Sequence, residues 1–225
     1  RETAKLPGER RTIGVDVARF GTDSTVITCM DGFTVTKKKV LNKRDTTQVV
    51  GEIIALCGEA MPDVIVVDET GLGGGTVDLL NEARNTGVSI HANVEVRGVQ
   101  FGAGFDAELL GREKEKYVNV KARMYDLLAK DMRSRIALLD EEVYLSELPS
   151  IQYSYDSKGR MQIESKDQYK KRTGRGSPDH ADSLALANFG HYDELTVGSF
   201  SKGTTTTTGS GNKPRSWTKK GKASW

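Results

Sequence analysis

The sequence predicts an α/β domain built on a mixed five-stranded sheet flanked by helices. Three observations carry this. An alternating opening segment runs into two further strand-like runs joined by tight turns. A near-continuous apolar run, DVIVVD (63–68), then follows a helical stretch. Further helix-spaced stretches follow it, out to SPDHADSLALA (177–187).

Each element has a local cause. In TIGVDVA (12–18), Ile13, Val15 and Val17 share one face while Gly14, Asp16 and Ala18 share the other, which is strand periodicity. RFGTD (19–23) is turn chemistry, and STVITCM (24–30) is a second strand. Asp31-Gly32 marks a hairpin into a third strand over 33–41. Thr46 or Thr47 is expected to cap a helix to about Ala60, with Val49, Val50, Ile53, Ile54 and Cys57 at helical spacing. The run 63–68 has the length and composition of a strand buried on both faces. The glycine-rich segment 71–75 breaks the chain before a helix over 76–86, and 88–96 is expected to be a strand. The segment 101–111 is Gly-rich and irregular.

Residues 117–133 form a helix with Val120, Met124, Leu128 and Met132 in a stripe. A hairpin is expected over 151–165, turning at Ser157-Lys158-Gly159. Ser177 is expected to cap the last helix, with Pro178 at its first position, running to about Tyr192. Residues 1–11 read as a linker end, 12–197 as the domain, and 198–225 as a disordered basic tail with almost nothing to bury.

The chain has 225 residues, enough for one domain with a sizeable core. It opens on Arg1 and is read as a piece of a longer polypeptide. No run approaches the roughly 18 apolar residues of a membrane span, and no secretory leader is visible. Cys29 and Cys57 sit inside apolar runs without ligand spacing. They read as buried thiols in a reducing compartment rather than as a disulfide. The net charge of +2 conceals an asymmetry. Six of the 33 Lys/Arg lie in 198–225 with no acid beside them, leaving 27 bases against 31 acids in the body. A body near −4 binds DNA weakly on its own, because affinity for phosphates scales with the cations supplied.

The acids carry the chemistry. Asp16 stands mid-strand, where aspartate is depleted and costly to bury alone. Asp68 ends a buried strand, where open α/β sheets place ligands. If the two strands are neighbours, the backbones lie about 4.8 Å apart and both carboxylates reach one cation site. Asp179 and Asp182 are three apart on the last helix and share a face. Ala181, Leu184, Ala185 and Asn188 are expected to pack that helix closely on the sheet.

Each acid also has an ordinary reading. Asp16 suits backbone hydrogen bonding, Asp68 suits a turn into the glycines, and Asp179 suits the positive end of a helix. Glu69 follows Asp68 on the opposite face and reads as a support to the ligands or as structural, and His180 as a packed or solvated helix residue. The basic run Lys166, Lys170, Lys171, Arg172 and Arg175, with Gly174 and Gly176 beside it, reads as a mobile DNA-contacting loop. Arg112, Lys114, Lys116, Lys121 and Arg123 form a second basic patch, diluted by Glu113 and Glu115. GLGGG (71–75) lacks the Gly-Lys-Ser/Thr ending of a nucleotide-binding loop, so tight strand-to-helix passage is the better account.

Four stretches together resemble the C-terminal nuclease domain of tailed-bacteriophage terminase large subunits, which has a ribonuclease-H-like fold. They are IGVDVARFGTD (13–23), VIVVDETGLGGGTVDLL (64–80), VKARMYDLLA (120–129) and KDQYKKRTGRGSPDHADSLALA (166–187), spread over most of residues 12–190. The resemblance implies three antiparallel strands followed by parallel ones, flanking helices and an added β-hairpin. It implies that Asp16, Asp68 and Asp182 are catalytic metal-binding acids and that Asp179 helps hold a second metal. Asp23 and Lys166 would approach the metals or the scissile phosphate, and Lys170, Lys171, Arg172 and Arg175 would contact DNA.

The implied activity is an endodeoxyribonuclease using two Mg²⁺ or Mn²⁺ ions to cut concatemeric viral DNA at the start and end of packaging. An all-oxygen ligand set suits these hard cations and not zinc. The implied partners are double-stranded DNA, an N-terminal ATPase domain of the same polypeptide, the portal protein and the terminase small subunit. The implied setting is the host cytoplasm, on the procapsid and without a membrane. No ATPase activity is expected of this fragment. Rival readings are a resolvase or transposase of the same fold, a non-catalytic DNA or portal adaptor, and an actin-like or sugar-kinase domain. The last would need a second phosphate hairpin, which the sequence lacks.

Overall fold

The computed structural model describes residues 10–18, 24–87, 89–104, 113–139 and 142–192. Asp23, the segment 1–9 and the basic tail 198–225 lie outside the described residues.

Strand β1 (Arg11–Asp16) pairs antiparallel with β2 (Thr25–Asp31), which pairs antiparallel with β3 (Thr34–Leu41). Helix α1 (Thr46–Ala60) then leads to β4 (Val64–Asp68), which returns parallel to β1. Helix α2 (Gly73–Thr86) leads to β5 (Glu95–Val99), parallel to β4. The spatial order is β3-β2-β1-β4-β5, the mixed five-stranded sheet expected from the sequence. Every residue of β4 is buried, as its apolar run requires.

The remaining elements build the other side of the sheet. They are α3 (Glu113–Lys116), α4 (Val120–Met132), α5 (Glu142–Glu147), the hairpin β6 (Tyr153–Tyr155) with β7 (Met161–Ile163), α6 (Lys166–Thr173) and α7 (Asp179–Phe189). Ile13, Val15, Val17, Ile27, Ile65 and Val67 face one way and join the apolar sides of α1 and α2. Val64 and Val66 face the other way and join α4 and α7. Cys29 and Cys57 are buried free thiols, and burial pushes them up to about 11 and about 12. Among the described residues no helix is long and apolar enough to cross a membrane.

Several boundaries differ from the sequence reading, each for a local reason. Helix α1 is capped by Asp45 rather than Thr46 or Thr47, because Asp45 and Gln48 exchange side-chain and backbone hydrogen bonds. Strand β5 lies later than the expected 88–96, since His91–Val94 makes a turn first, with Val94 N donating to His91 O. The helix expected over 117–133 starts at Val120, where the Asn119 side chain caps Ala122 N. Lys166–Thr173 is a helix and not a loop. A Ser165–Gln168 capping box starts it, buried Tyr169 anchors it, and Gly174 at φ +66 ends it.

Ser177 does not cap α7, which begins at Asp179 after Pro178 and ends at Phe189 rather than near Tyr192. Its backbone N–H groups are instead met by a neighbour: Ala181 N donates to Glu147 Oε2 of α5 at 2.9 Å. Every residue of α7 from Ala181 to Phe189 is buried, because the helix lies between the sheet on one side and α4 and α5 on the other.

Candidate active site

The site is assembled where three chain directions end. Val15 of β1 is level with Val67 of β4, so the next residues along, Asp16 and Asp68, stand side by side at the carboxyl ends of neighbouring strands. The positive end of α7 brings Asp179 and Asp182 to the same place. All four carboxylates are buried, Asp182 completely.

Two glycines set these positions. A Cβ on Gly14 would stand 2.2 Å from Ala187 N and 2.3 Å from Ser183 O, so only glycine lets α7 lie this close to β1. The contact is sealed by Ser183 Oγ donating to Gly14 O at 3.0 Å and Thr12 Oγ1 donating to Ala187 O at 2.8 Å. Ser183 and Ala187 therefore face the strand, while Asn188 turns away to Asp131 of α4. The expected packing face of 181, 184, 185 and 188 is displaced accordingly. On the β4 side, a Cβ on Gly73 would meet Asp68 O at 1.7 Å, which bears out the tight strand-to-helix passage read from GLGGG.

The cation among these acids is a lysine. Lys166 Nζ donates to Asp16 Oδ2 at 2.8 Å and Oδ1 at 3.1 Å, and to Asp179 Oδ1 at 3.3 Å. It also lies 3.4 Å from Asp182 Oδ2. Asp179 Oδ2 accepts from Ser24 N at 3.1 Å, and Asp68 Oδ1 from Thr70 N at 3.0 Å. Asp182 Oδ1 accepts from the Tyr125 hydroxyl at 2.6 Å and lies 3.1 Å from Lys121 Nζ.

Burial drives the electrostatics. Desolvation holds Asp16 well above the usual carboxylate range, with Lys166 opposing it and the neighbouring acids Asp182 and Asp179 adding to it. Burial also raises Asp68, against the Thr70 hydrogen bonds. Asp182 is the exception. Burial pushes it up, yet Lys121, Lys166 and the Tyr125 hydroxyl together hold it below its ordinary value. Burial works against the charge on Lys166, but Asp16, Asp182 and Asp179 outweigh it and raise its pKa. Glu147, desolvated near the same acids, is pushed up to about 7.

Four carboxylates against two ammonium groups leave an excess of negative charge that suits a divalent cation. Asp182 Oδ2 sharpens this, being buried without a hydrogen-bond partner. Among the described residues no three His, Cys, Asp or Glu side chains already stand as a metal cage, since Asp16, Asp179 and Asp182 are gathered round Lys166 instead. The donor set is all oxygen and fits a hard ion. Asp16, Asp68, Asp179 and Asp182 are thus the residues that could hold one.

The basic residues divide. Lys171 and Arg175 are exposed on and just after α6. Arg172 is engaged, with Nε donating to Glu164 Oε2 at 3.0 Å and NH2 to Ser150 O at 2.6 Å, which ties α6 to the hairpin. Lys170 lies part-buried on the same helix. Among the described residues the second patch is split, with Lys114 and Lys116 exposed. Lys121 and Arg123 are buried, Arg123 paired to Glu113 at 3.2 Å, and Arg112 lies outside the described residues. His180 packs edge-on to Tyr144, centroids 6.3 Å apart. Tyr125 and Glu147 were not among the residues the sequence singled out, and Lys121 was read there as part of a basic patch and not as a partner of Asp182. The one signal was that Lys121 and Tyr125 are four apart on a helix and flank its apolar stripe.

No family model matches the chain. Among solved structures, the nuclease domain of the large terminase subunit gp2 of bacterial virus Sf6 superposes with a TM-score of 0.70. That match covers 82% of this chain and 89% of that one at 18% identity. The chain has the terminase nuclease fold. The large terminase nuclease of thermophilic phage G20c, solved with bound magnesium, matches at a TM-score of 0.56 and 19% identity, over 81% of this chain and 82% of that one. A mutant Sf6 nuclease domain with manganese scores 0.69 at 16% identity, over 81% of this chain and 89% of that one. In sequence, the chain is 28% identical over 190 residues to the "Probable terminase, large subunit" of Enterobacteria phage P7. The match covers 79% of this chain but 36% of the phage P7 protein, so the terminase nuclease fold here corresponds to about a third of that relative.

Proposed function

We propose that this chain is the metal-dependent nuclease domain of a phage terminase large subunit, cutting concatemeric double-stranded DNA at the start and end of genome packaging. The observation that carries the reading is the gathering of buried Asp16, Asp179 and Asp182 round one ammonium group, with buried Asp68 on the strand beside Asp16 and one carboxylate oxygen that makes no hydrogen bond. The sequence relative from phage P7 and the metal-bound terminase nucleases of the same fold support it.

Asp16, Asp68, Asp179 and Asp182 would together hold the ions. Bound Mg²⁺ or Mn²⁺ would neutralise the scissile phosphate, activate a water and stabilise the leaving oxygen. The chain's own residues do the rest. Burial excludes bulk water from the four carboxylates. Lys166, about a third exposed, supplies a positive charge at the mouth of the site for a phosphate oxygen. Exposed Lys171, Arg172 and Arg175, with part-buried Lys170, give the DNA backbone a local basic contact on an otherwise acidic body. Such weak intrinsic affinity leaves DNA delivery to partners: the N-terminal ATPase domain of the same polypeptide, the portal protein and the terminase small subunit. These act on the procapsid in the host cytoplasm.

Plasmid nicking in Mn²⁺ tests this. Asp16→Asn and Asp182→Asn are expected to abolish nicking while keeping the wild-type far-UV circular dichroism spectrum. A folded variant of either kind that nicks at the parental rate overturns the assignment.

A further inference from the structure

Asp182 is gripped from two sides by different helices, and the two grips differ in kind. On the open side, Lys166 reaches in from the first residue of α6, with its side chain 31% exposed. On the closed side, α4 supplies Lys121 and Tyr125, one turn apart on the face turned to α7. Both of them hold the same oxygen, Oδ1, at 3.1 Å and 2.6 Å. The other oxygen, Oδ2, is buried and has no hydrogen-bond partner.

The α4 grip is fixed. The Lys121 ammonium lies 5.1 Å from the Phe101 ring centroid and 5.5 Å from that of Tyr125, so aromatic faces wall it in. Its backbone N–H donates to Phe101 O at 3.1 Å, and the Asn119 cap fixes the start of the helix. Neither side chain has room to swing into solvent, since both are buried.

Stability alone does not account for this arrangement. A buried ion pair is rarely worth more than apolar side chains of the same volume, because desolvating both charges offsets their attraction. A carboxylate also has lone pairs on two oxygens, and a purely structural ion pair would be expected to satisfy both. Here α4 saturates one oxygen and leaves the other on the site side, without a hydrogen bond and 3.4 Å from the Lys166 ammonium.

We propose that Lys121 and Tyr125 are positioning residues for divalent-cation binding. Tyr125 orients Asp182 by fixing Oδ1, so that Oδ2 is presented to the ion. Lys121 is a permanent counter-charge that neutralises Asp182 while no ion is bound. Lys166 is the exchangeable partner on the open side. This rests on the nuclease reading of the site, and it assigns to α4 a role that reading does not require.

Mn²⁺ binding to the whole chain, measured by titration calorimetry without DNA, is the test. Tyr125→Phe removes one neutral donor and leaves every charge in place, so a change in affinity reports orientation. The dissociation constant is expected to rise about 10-fold, the scale on which residues supporting metal ligands act. Nicking should recover as Mn²⁺ is raised, placing the defect in metal affinity. An unchanged constant, with only a lower melting temperature, overturns the orienting role. So does a crystal structure of the variant with Asp182 unmoved. Lys121→Met is expected to lower the metal-free melting temperature and to enlarge the rise that Mn²⁺ produces. An equal rise in variant and parent overturns the counter-charge role. A parent chain that binds no Mn²⁺ removes the nuclease reading together with this inference. A parent that binds, with both variants behaving like it, removes this inference alone.

Discussion

Lys166 Nζ makes two hydrogen bonds to Asp16, at 2.8 Å and 3.1 Å, across 150 residues of sequence. The bond joins the first strand of the sheet to a helix that follows the hairpin. It also brings Asp179 and Asp182 within 3.4 Å of the same ammonium group. The lysine is what keeps three buried carboxylates compatible with one another.

Removing that ammonium should therefore make the fold depend on added cations. Breaking a buried pair by deleting one partner costs about 3–5 kcal/mol, and the partial exposure of Lys166 reduces this to about 2 kcal/mol. Lys166→Met is expected to unfold at lower urea concentration than the parent in EDTA. In millimolar Mn²⁺ most of the difference should disappear, because a divalent ion replaces the missing charge. Equal midpoints in EDTA would show that the three acids do not need Lys166.

The acids were legible in the sequence because each sits where its residue type is costly: Asp16 inside a strand, Asp68 at the end of a fully apolar one, Asp182 within a helix of small side chains. Their partners were not legible. Tyr125 meets Asp182 across 57 positions, and Glu147 meets Ala181 across 34. No local pattern distinguishes a lysine that turns inward, such as Lys121, from one that faces water. The mixed sheet followed from element types, strands that alternate and then a strand buried on both faces, whereas the pairing of β1 with β4 entered only as a condition. Helix α6 was hidden by its own charge. Five of its eight residues are ionic, and the single buried anchor, Tyr169, gives no periodicity. The α7 cap was misplaced because Ser177-Pro178 has the right chemistry, yet Glu147 from another helix meets the backbone first.

His191 offers a pH dependence outside the acidic cluster. It is fully buried beside Phe33, centroids 4.7 Å apart. Burial holds its imidazole down at about 4, with Arg10 and Arg135 adding to the effect and Gly32 and Asp131 opposing it. The unfolded chain takes up a proton near the ordinary value of about 6.5, while the folded chain does so only near 4. Unfolding therefore binds protons throughout that window. The stability tied to the neutral imidazole is present above pH 6.5 and is lost as pH falls towards 4, in total about 3 kcal/mol. His191→Phe, which keeps a ring against Phe33, should flatten that limb of the stability-versus-pH curve measured by urea denaturation. A variant with the same slope as the parent between pH 6.5 and 4 would place the dependence elsewhere.

Gly14 links the fold to the site most directly. Its missing side chain is what allows α7 to lie against β1, with a virtual Cβ 2.2 Å from Ala187 N and 2.3 Å from Ser183 O. Both neighbours are backbone, so no rotamer change relieves the clash, and the helix itself must shift. A shift of α7 carries Asp179 and Asp182 away from Asp16, which β1 holds in place. Gly14→Ala is thus expected to cost about 3 kcal/mol, at the upper end of overpacking. Any folded fraction should bind Mn²⁺ more weakly than the parent, although no acid has been touched. Gly58→Ala is the control, since a Cβ there meets nothing within 4 Å. If Gly14→Ala folds and binds Mn²⁺ like Gly58→Ala, the close approach of α7 to β1 is not what sets the geometry of the acids.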